Sequence, residues 1–421
     1  MPATAPRAST PPTNAQAGAT GAARIAPRLA FYLQASMTLS FLAGSSAPTP
    51  MYALYQGAWG FSSTMLTVAF GIYALGVLAA LLVAGRLSDH VGRRPVLMVA
   101  AAGQVLAMAV FATAGGLSDL LFGRVVQGLS AGAAIAAVGA GLLDLDKARG
   151  AVANSVAPLL GTAFGGVLAG VLVQYLPAPT QLVYVLLGVV FAIQGIAVAF
   201  IAETAPSRPG ALASLRPRFG VPVAVRTPVL AVAPVLVAVW ALGGFEASLG
   251  PTLLRSLSGS NSILLGSVAL FVLAGTGALA VIALQQQDAR ALLRIGTSAL
   301  LAGLAIALAA LTLHSVALFL LGTAVAGVGF GSGFQGALRA VVALIAAHER
   351  AGVLSVLFVI SYLALGIPAM LAGYGLTHQG DIYATAREFS VAVMVLAALA
   401  LAATFRRAVS AAPRSPSRRV A

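Results

Sequence analysis

The sequence predicts an all-α polytopic membrane protein of twelve transmembrane helices in two six-helix bundles. Hydrophobic residues make up 60% of the 421 and charged residues only 8%, with a mean hydropathy of +0.98, far from the balance of a water-soluble domain. Twelve apolar runs reach about 18 residues, the length that crosses a ~30 Å hydrocarbon core as helix. They are too long and too uniformly apolar for barrel strands, which leaves helix as the spanning structure.

Residues 1–28, rich in Pro, Ala and Thr, have no apolar core and read as a disordered tail rather than a cleaved signal peptide. The first bundle, 29–201, opens with the span Leu29–Ala47, whose Gln34 and Thr38 are polar groups at helix depth. The spans Phe61–Ala84 and Val96–Ala114 are joined by a charged hairpin, Gly85-Arg86-Leu87-Ser88-Asp89-His90-Val91-Gly92-Arg93-Arg94-Pro95. There Gly85 and Gly92 are expected to let the backbone turn sharply.

The fourth span, Leu117–Leu143, buries Arg124 and, one turn on along the same face, Gln127. A guanidinium at that depth either faces a wet cavity, where it tunes an acid or holds an anionic group, or snorkels outward past Asp119. In the fifth span, Ala151–Leu172, Gly161 with Gly165 and Gly166 with Gly170 form two small-residue notches for close helix packing. The span Thr180–Ile201 completes the bundle.

Residues 202–227 form a central connection containing Pro206, Pro209, Pro217, Pro222 and four arginines. The second bundle, 228–405, holds Pro228–Leu249, Ser262–Leu284, Ile295–Leu313, Ser315–Leu338, Gly352–Tyr374 and Glu388–Thr404. Glu246, just after Gly243-Gly244-Phe245, is the acid that lies well inside an apolar run, which makes it a candidate proton carrier. Trp240 suits packing or interfacial anchoring better than substrate stacking. Gln335 is a cavity candidate, whereas Arg339 sits close enough to its helix end to snorkel. Residues 406–421 read as a basic tail.

Charge placement sets the orientation. Twenty of the 24 Lys and Arg fall on 1–28, 406–421 and the connections after even-numbered spans; Arg255 and Arg387 fall on the other side. By the positive-inside rule the arginine-rich face, with both termini, is cytoplasmic, as for a multi-pass protein of an inner (plasma) membrane. The net charge of +14 is spread between spans rather than gathered in one patch, so nucleic acid is not an expected partner. With no cysteine and no acid–histidine pattern among His90, His314, His348 and His378, neither a metal nor another cofactor is expected.

The halves echo one another. A shift of 199 residues places Asp89 on Asp288, Gly123 on Gly322, Gly128 on Gly327 and Gly132 on Gly331, and repeated halves point to a transporter with its site at their interface.

On these residues the chain resembles the major facilitator superfamily. The hairpin from Gly85 to Arg94 is similar to that family's loop between helices two and three. Arg124-Val125-Val126-Gln127-Gly128 resembles its Arg-x-x-Gln-Gly signature. Asp146-Lys147-Ala148-Arg149-Gly150 and His348-Glu349-Arg350-Ala351-Gly352 resemble its charged connections after helices four and ten. The resemblance implies a conformational latch of Gly85, Asp89, Gly92, Arg93, Arg94, Arg149, Asp288, Glu349 and Arg350, in which Asp89 meets basic groups and a helix N-terminus of the other half. Asp288, without the flanking glycines, is expected to be the weaker copy. Gly161-Thr162-Ala163-Phe164-Gly165-Gly166 is similar to an antiporter signature but carries Thr162 where that signature has proline.

The expected function is gradient-driven alternating access about a site lined by Gln34, Thr38, Arg124, Gln127, Glu246 and Gln335, because no phosphate-binding Gly-x-x-x-x-Gly-Lys loop occurs. Proton-coupled efflux of a small, partly apolar compound by a monomer in the lipid bilayer fits this sparse polar set. Proton-coupled uptake and uniport are the alternatives. An embedded enzyme lacks a cluster of catalytic groups, and a channel would not need repeated halves.

Overall fold

The computed structural model describes residues 25–216, 220–346 and 349–410; the two expected tails fall largely outside this range, as does His348. The chain forms α1 (Pro27–Ser46), α2 (Tyr52–Trp59), α3 (Ser63–Val91), α4 (Arg93–Ala112), α5 (Leu117–Leu145), α6 (Lys147–Tyr175) and α7 (Leu182–Val198). After the short α8 (Ala211–Ser214) come α9 (Val223–Ser248), α10 (Gly250–Ser258), α11 (Ile263–Ala283), α12 (Ala289–Leu313), α13 (Val316–Val342), α14 (Arg350–Gln379) and α15 (Ile382–Ser410). Each of the twelve expected spans falls on one of these helices. Ten are long and apolar enough to cross a membrane, while α7 is apolar but shorter at 17 residues. The span α1 has 20 residues diluted by Gln34, Ser36, Thr38 and Ser40.

Side-chain caps explain many of the starts. Ser62, Ser262 and Ser315 accept a hydrogen bond from the third backbone N–H of α3, α11 and α13. Asp146 and Asp288 do the same for α6 and α12, each satisfying an N–H that no helical carbonyl can reach. Asp381 accepts from the Tyr383 N–H at 2.8 Å, which is why α15 starts before the expected Glu388.

The hairpin departs from expectation. Gly85 lies inside α3, which continues to Val91, so the whole turn falls on Gly92 at φ 101°. Only glycine adopts that conformation without strain.

Glycines then set how closely helices approach, and they show the repeat as a physical fact. Gly123 faces Phe111 of α4, while Gly128 and Gly132 face Tyr73 and Val77 of α3. Their shifted partners do the same job: Gly322 faces Ala307 of α12, and Gly327 and Gly331 face Leu273 and Gly277 of α11. The fourth span of each half is thus held against its second and third spans by the same three notches.

The two notches of α6 serve different neighbours. Gly161 and Gly165 admit Leu39 and Ala43 of α1 in the same half, whereas Gly166 and Gly170 admit Leu270, Ser267 and Leu264 of α11 in the other. A second seam joins the halves where Gly71 of α3 receives Met370 of α14 and Gly373 of α14 receives Thr67 of α3. The halves therefore meet along α6–α11 and α3–α14.

Gly128→Ala should destabilise the protein by about 1–3 kcal/mol, because the added methyl has backbone of α3 in its place. Gly275→Ala, with open space around it, should gain up to ~1 kcal/mol of helix propensity. Thermal unfolding of the two variants in detergent checks the contrast.

Candidate functional site

Proline breaks the end of α1. The carbonyl of Gly44 would receive the N–H four residues on, but that residue is Pro48, and Pro50 removes the donor for Ser46 in the same way. In a bilayer such a carbonyl has no water to turn to. The fourth span replaces one of these donors and adds a bond beside it: Gln127 Nε2 donates to Gly44 O at 2.8 Å, and Arg124 Nη1 to the neighbouring Ser45 O at 3.1 Å.

Arg124 is completely enclosed. Its Nη1 also donates to Gln127 Oε1 at 2.6 Å, its Nε reaches Ala69 O of α3 at 3.4 Å, and its guanidinium carbon lies 4.3 Å from the Tyr73 ring centre. Gln104 of α4 closes the cluster by donating to Gln127 O at 3.1 Å. The charge sits at the negative end of α1 and over an aromatic face, two arrangements that favour a cation. The expectation that Arg124 lines an open cavity is therefore replaced: it ties α1, α3 and α5 together inside the first half, and it does not snorkel. Nη2 alone is left without a partner.

Arg339 behaves differently. It donates to the Gln285 and Gln287 carbonyls at 2.9 and 3.0 Å, closing the loop between α11 and α12 from a half-buried position.

Beside Arg93 and Arg124, other enclosed polar atoms have no partner: Gln34 Oε1, Thr38 Oγ1, Tyr52 Oη, Gln104 Oε1, Trp240 Nε1, Glu246 Oε2, Gln335 Oε1 and Ser361 Oγ. Six of these eight sit on α1, α9, α13 and α14, with Tyr52 on α2 and Gln104 on α4. Buried groups of this kind are scarce because each forfeits its hydration, which makes the six the candidates for a binding region. Trp240 stands between the halves, with ring centres of Phe334 at 5.4 Å and Tyr362 at 4.9 Å, and it packs against the apolar cores of both. Glu246 is 4% exposed, its Oε2 against Gly250 and its chain neighbour Ala247 packed with Phe70, Leu270 and Ala369.

At the arginine-rich face two of the expected latch residues, Asp89 and Arg93, meet. Arg93 pairs with Asp89, donates to Ser88 Oγ at 2.6 Å, and places Nε 3.5 Å from Asp144 of α5. Asp89 thus finds its cation in its own half rather than a helix of the other. Asp288 takes a different role: as the cap of α12 it accepts from the Ala291 N–H at 2.6 Å. Asp146 caps α6 and lies 3.7 Å from Arg149, and Glu349 and Arg350 open α14.

A residue the sequence reading missed completes this region. Glu203, just beyond α7, accepts from the backbone N–H groups of Arg93 at 2.7 Å and Arg94 at 3.0 Å, capping α4. The central connection continues along the same surface, with Arg208 N donating to His90 O at 2.7 Å and Arg86 to Arg216 O at 2.9 Å. A cleft of about 430 Å³ remains between Asp89, Arg93, Asp144, Thr204 and Arg208. An acid immediately after an apolar span was the available signal.

Two repeated bundles of apolar membrane-length helices that carry unpaired polar groups in their interior are the build of a membrane transporter. The family model described as Major Facilitator Superfamily matches residues 35–312, and the chain belongs to that superfamily. Multidrug resistance protein MdtL of Klebsiella pneumoniae subsp. pneumoniae is 33% identical over 159 residues, covering 36% of this chain and 39% of the relative. The MdtL of Shigella dysenteriae serotype 1 is 34% identical over 164 residues with the same coverage. The chain thus matches about two fifths of the length of these curated relatives.

Similar folds are seen in a bacterial homologue of the human lysosomal transporter Spinster, inward-facing and unoccupied, at TM-score 0.70 and 14% identity over 92% of this chain and 99% of that one. The nucleoside transporter NupG gives 0.67 and 10% over 92% and 100%. The human organic anion transporter MFSD10 gives 0.65 and 18% over 91% and 99%.

Arg124→Ala should lower stability by about 3 kcal/mol or more, since it strands the Ser45 carbonyl and unpairs Gln127, and should abolish transport. Arg124→Lys should not restore either, because an ammonium cannot reach both oxygens while stacking on Tyr73. Arg339→Ala should only weaken activity. Thermal unfolding beside a vesicle flux assay separates the three. Glu203→Ala should cost about 0.5–2 kcal/mol through the lost cap and raise amide exchange at the start of α4, measured by hydrogen–deuterium exchange.

Proposed function

We propose that the protein is a proton-driven exporter of small, partly apolar organic compounds, working by alternating access in an inner membrane with its arginine-rich face in the cytoplasm. The observation that carries this reading is Glu246, an enclosed carboxyl on α9 with an oxygen lacking any partner, close to where the two halves meet. Gain or loss of a proton there changes the local charge by a whole unit in a weakly screening medium. Such a change can bias which face is open.

Supporting it, the substrate-facing set of Gln34, Thr38, Trp240, Gln335 and Ser361 is neutral and sparse. It suits an apolar body with a few hydrogen-bonding groups better than a sugar, whose many hydroxyls would each need a partner. The multidrug resistance proteins among its relatives point the same way. The basic loops on one face supply the orientation by the positive-inside rule. The Asp89–Arg93–Asp144 cluster lies within the first half and serves as the latch on that face when these charges exchange partners with the second half on closure, and the single chain contains both halves, so it works as a monomer.

In sealed vesicles with an imposed proton gradient, Glu246→Gln should still bind substrate and exchange it but should not accumulate it. A Gln variant that concentrates substrate as well as the unmodified protein would place the coupling proton elsewhere, with Asp144 or Asp119 as the next sites. Asp89→Asn should reduce turnover strongly at normal expression, measured in the same vesicles, because it removes one of the two carboxylates beside Arg93 and little packing.

A further inference from the structure

The two halves are tied together by direct side-chain hydrogen bonds at the face opposite the arginine-rich one. On the α3–α14 seam Thr377 Oγ1 accepts from Thr64 N at 3.0 Å and lies 2.9 Å from Thr64 Oγ1. On the α6–α11 seam Gln174 Oε1, from the last turn of α6, accepts from Ser262 Oγ at 2.7 Å and from the Leu264 N–H at 3.0 Å. These two sets of bonds are not equivalent. Thr377 Oγ1 also reaches Gly373 O of its own helix at 2.9 Å, so it keeps a partner if the seam parts.

The Leu264 N–H has no such reserve. It belongs to the first turn of α11, where no helical carbonyl is available, and the helix's own cap, Ser262, is already engaged with Leu265 N at 3.2 Å. Gly170, one turn before Gln174, brings the helices together by leaving room for Leu264 and Ser267. A cap supplied across the seam is therefore present when the halves touch there and lost when they separate.

We propose that Gln174 is the positioning residue that holds this face shut, acting as a helix cap lent by one half to the other, and that its strength sets how readily the face opens. The inference rests on the alternating-access reading for its consequence in transport, but not for the closure itself. A direction follows from the chemistry. The N-terminus of a helix favours negative charge, so a carboxylate in the same place should grip α11 more firmly than the amide, and a methyl should not grip it at all.

The chain has no cysteine, so a Thr64→Cys, Thr377→Cys pair reports closure at the distant α3–α14 seam against a clean background. Relative to that parent, Gln174→Ala should slow disulfide formation in membranes about fivefold, the scale of one lost hydrogen bond. Gln174→Glu should speed it. In vesicle transport, measured without the cysteines, Gln174→Glu should lower maximal rate more than apparent affinity, and Gln174→Asn should fall between Ala and wild type.

Unchanged cross-linking in both variants, or a shift of both in the same direction, overturns the proposal, because a merely structural role carries no opposite sign for Ala and Glu. If Gln174→Ala does not fold, the sign of the Glu variant decides. Should the Thr64→Cys, Thr377→Cys parent cross-link fully while the cysteine-free protein moves no compound, the transport reading fails while the closure result stands.

Discussion

A carbonyl inside a bilayer must find its donor within the protein, and that constraint organises the first half. Pro48 and Pro50 follow α1 directly and leave the Gly44 and Ser46 carbonyls without their helical donors. From α5, Gln127 answers Gly44 and Arg124 binds the neighbouring Ser45, and the rest follows from their reach: α5 must lie close to α1, so Gly141 makes room for Gln34, and close to α3, so Gly128 and Gly132 carry no side chain. A buried cation without a carboxylate partner is tolerable here because helix-end carbonyls and an aromatic face share the task. Arg124 is thereby a structural member that shapes the region beside it, and Gln34, Thr38, Trp240, Gln335 and Ser361 are left with unpaired atoms in the interior.

The halves are fastened differently at their two faces. At the arginine-rich face the strong contacts stay within one half, through Asp89, Arg93, Asp144 and Glu203. At the opposite face they cross between halves and are neutral, through Thr64, Thr377, Gln174 and Ser262. Between those ends the seams are made of small residues, Gly71 and Gly373 on one side and Gly166 and Gly170 on the other, which can slide without breaking polar bonds. A molecule built this way separates its seams by losing a few hydrogen bonds rather than a core.

Much of the fold was legible in the sequence because the bilayer writes it there plainly. Apolar run length marks each span, and the shifted glycines mark the repeat, since a notch facing a neighbouring helix admits no side chain in either copy. What could not be read was which partner a charged group would choose. Arg124 looked like a cavity cation because its depth was evident while the α1 and α3 carbonyls it binds, Ser45 and Ala69, lay far away in sequence. Asp288 matched Asp89 in position but became a cap, because α12 starts right after it whereas α3 runs on past Asp89. Glu203 was passed over since its acceptor role depends on α7 returning its end to the start of α4, which is a matter of topology and not of spacing.

That last contact has a consequence for how the chain is made. The first bundle contains its six spans by Val198, yet the N-terminus of α4 gains its cap only when Glu203 has followed, and the surface strap extends to Arg216. During synthesis the first bundle is therefore unfinished until the central connection has left the ribosome. The connection belongs to the first half as a folding unit, and a protein assembled from two separately expressed pieces would keep that unit whole if divided after Arg216 and lose it if divided before Glu203.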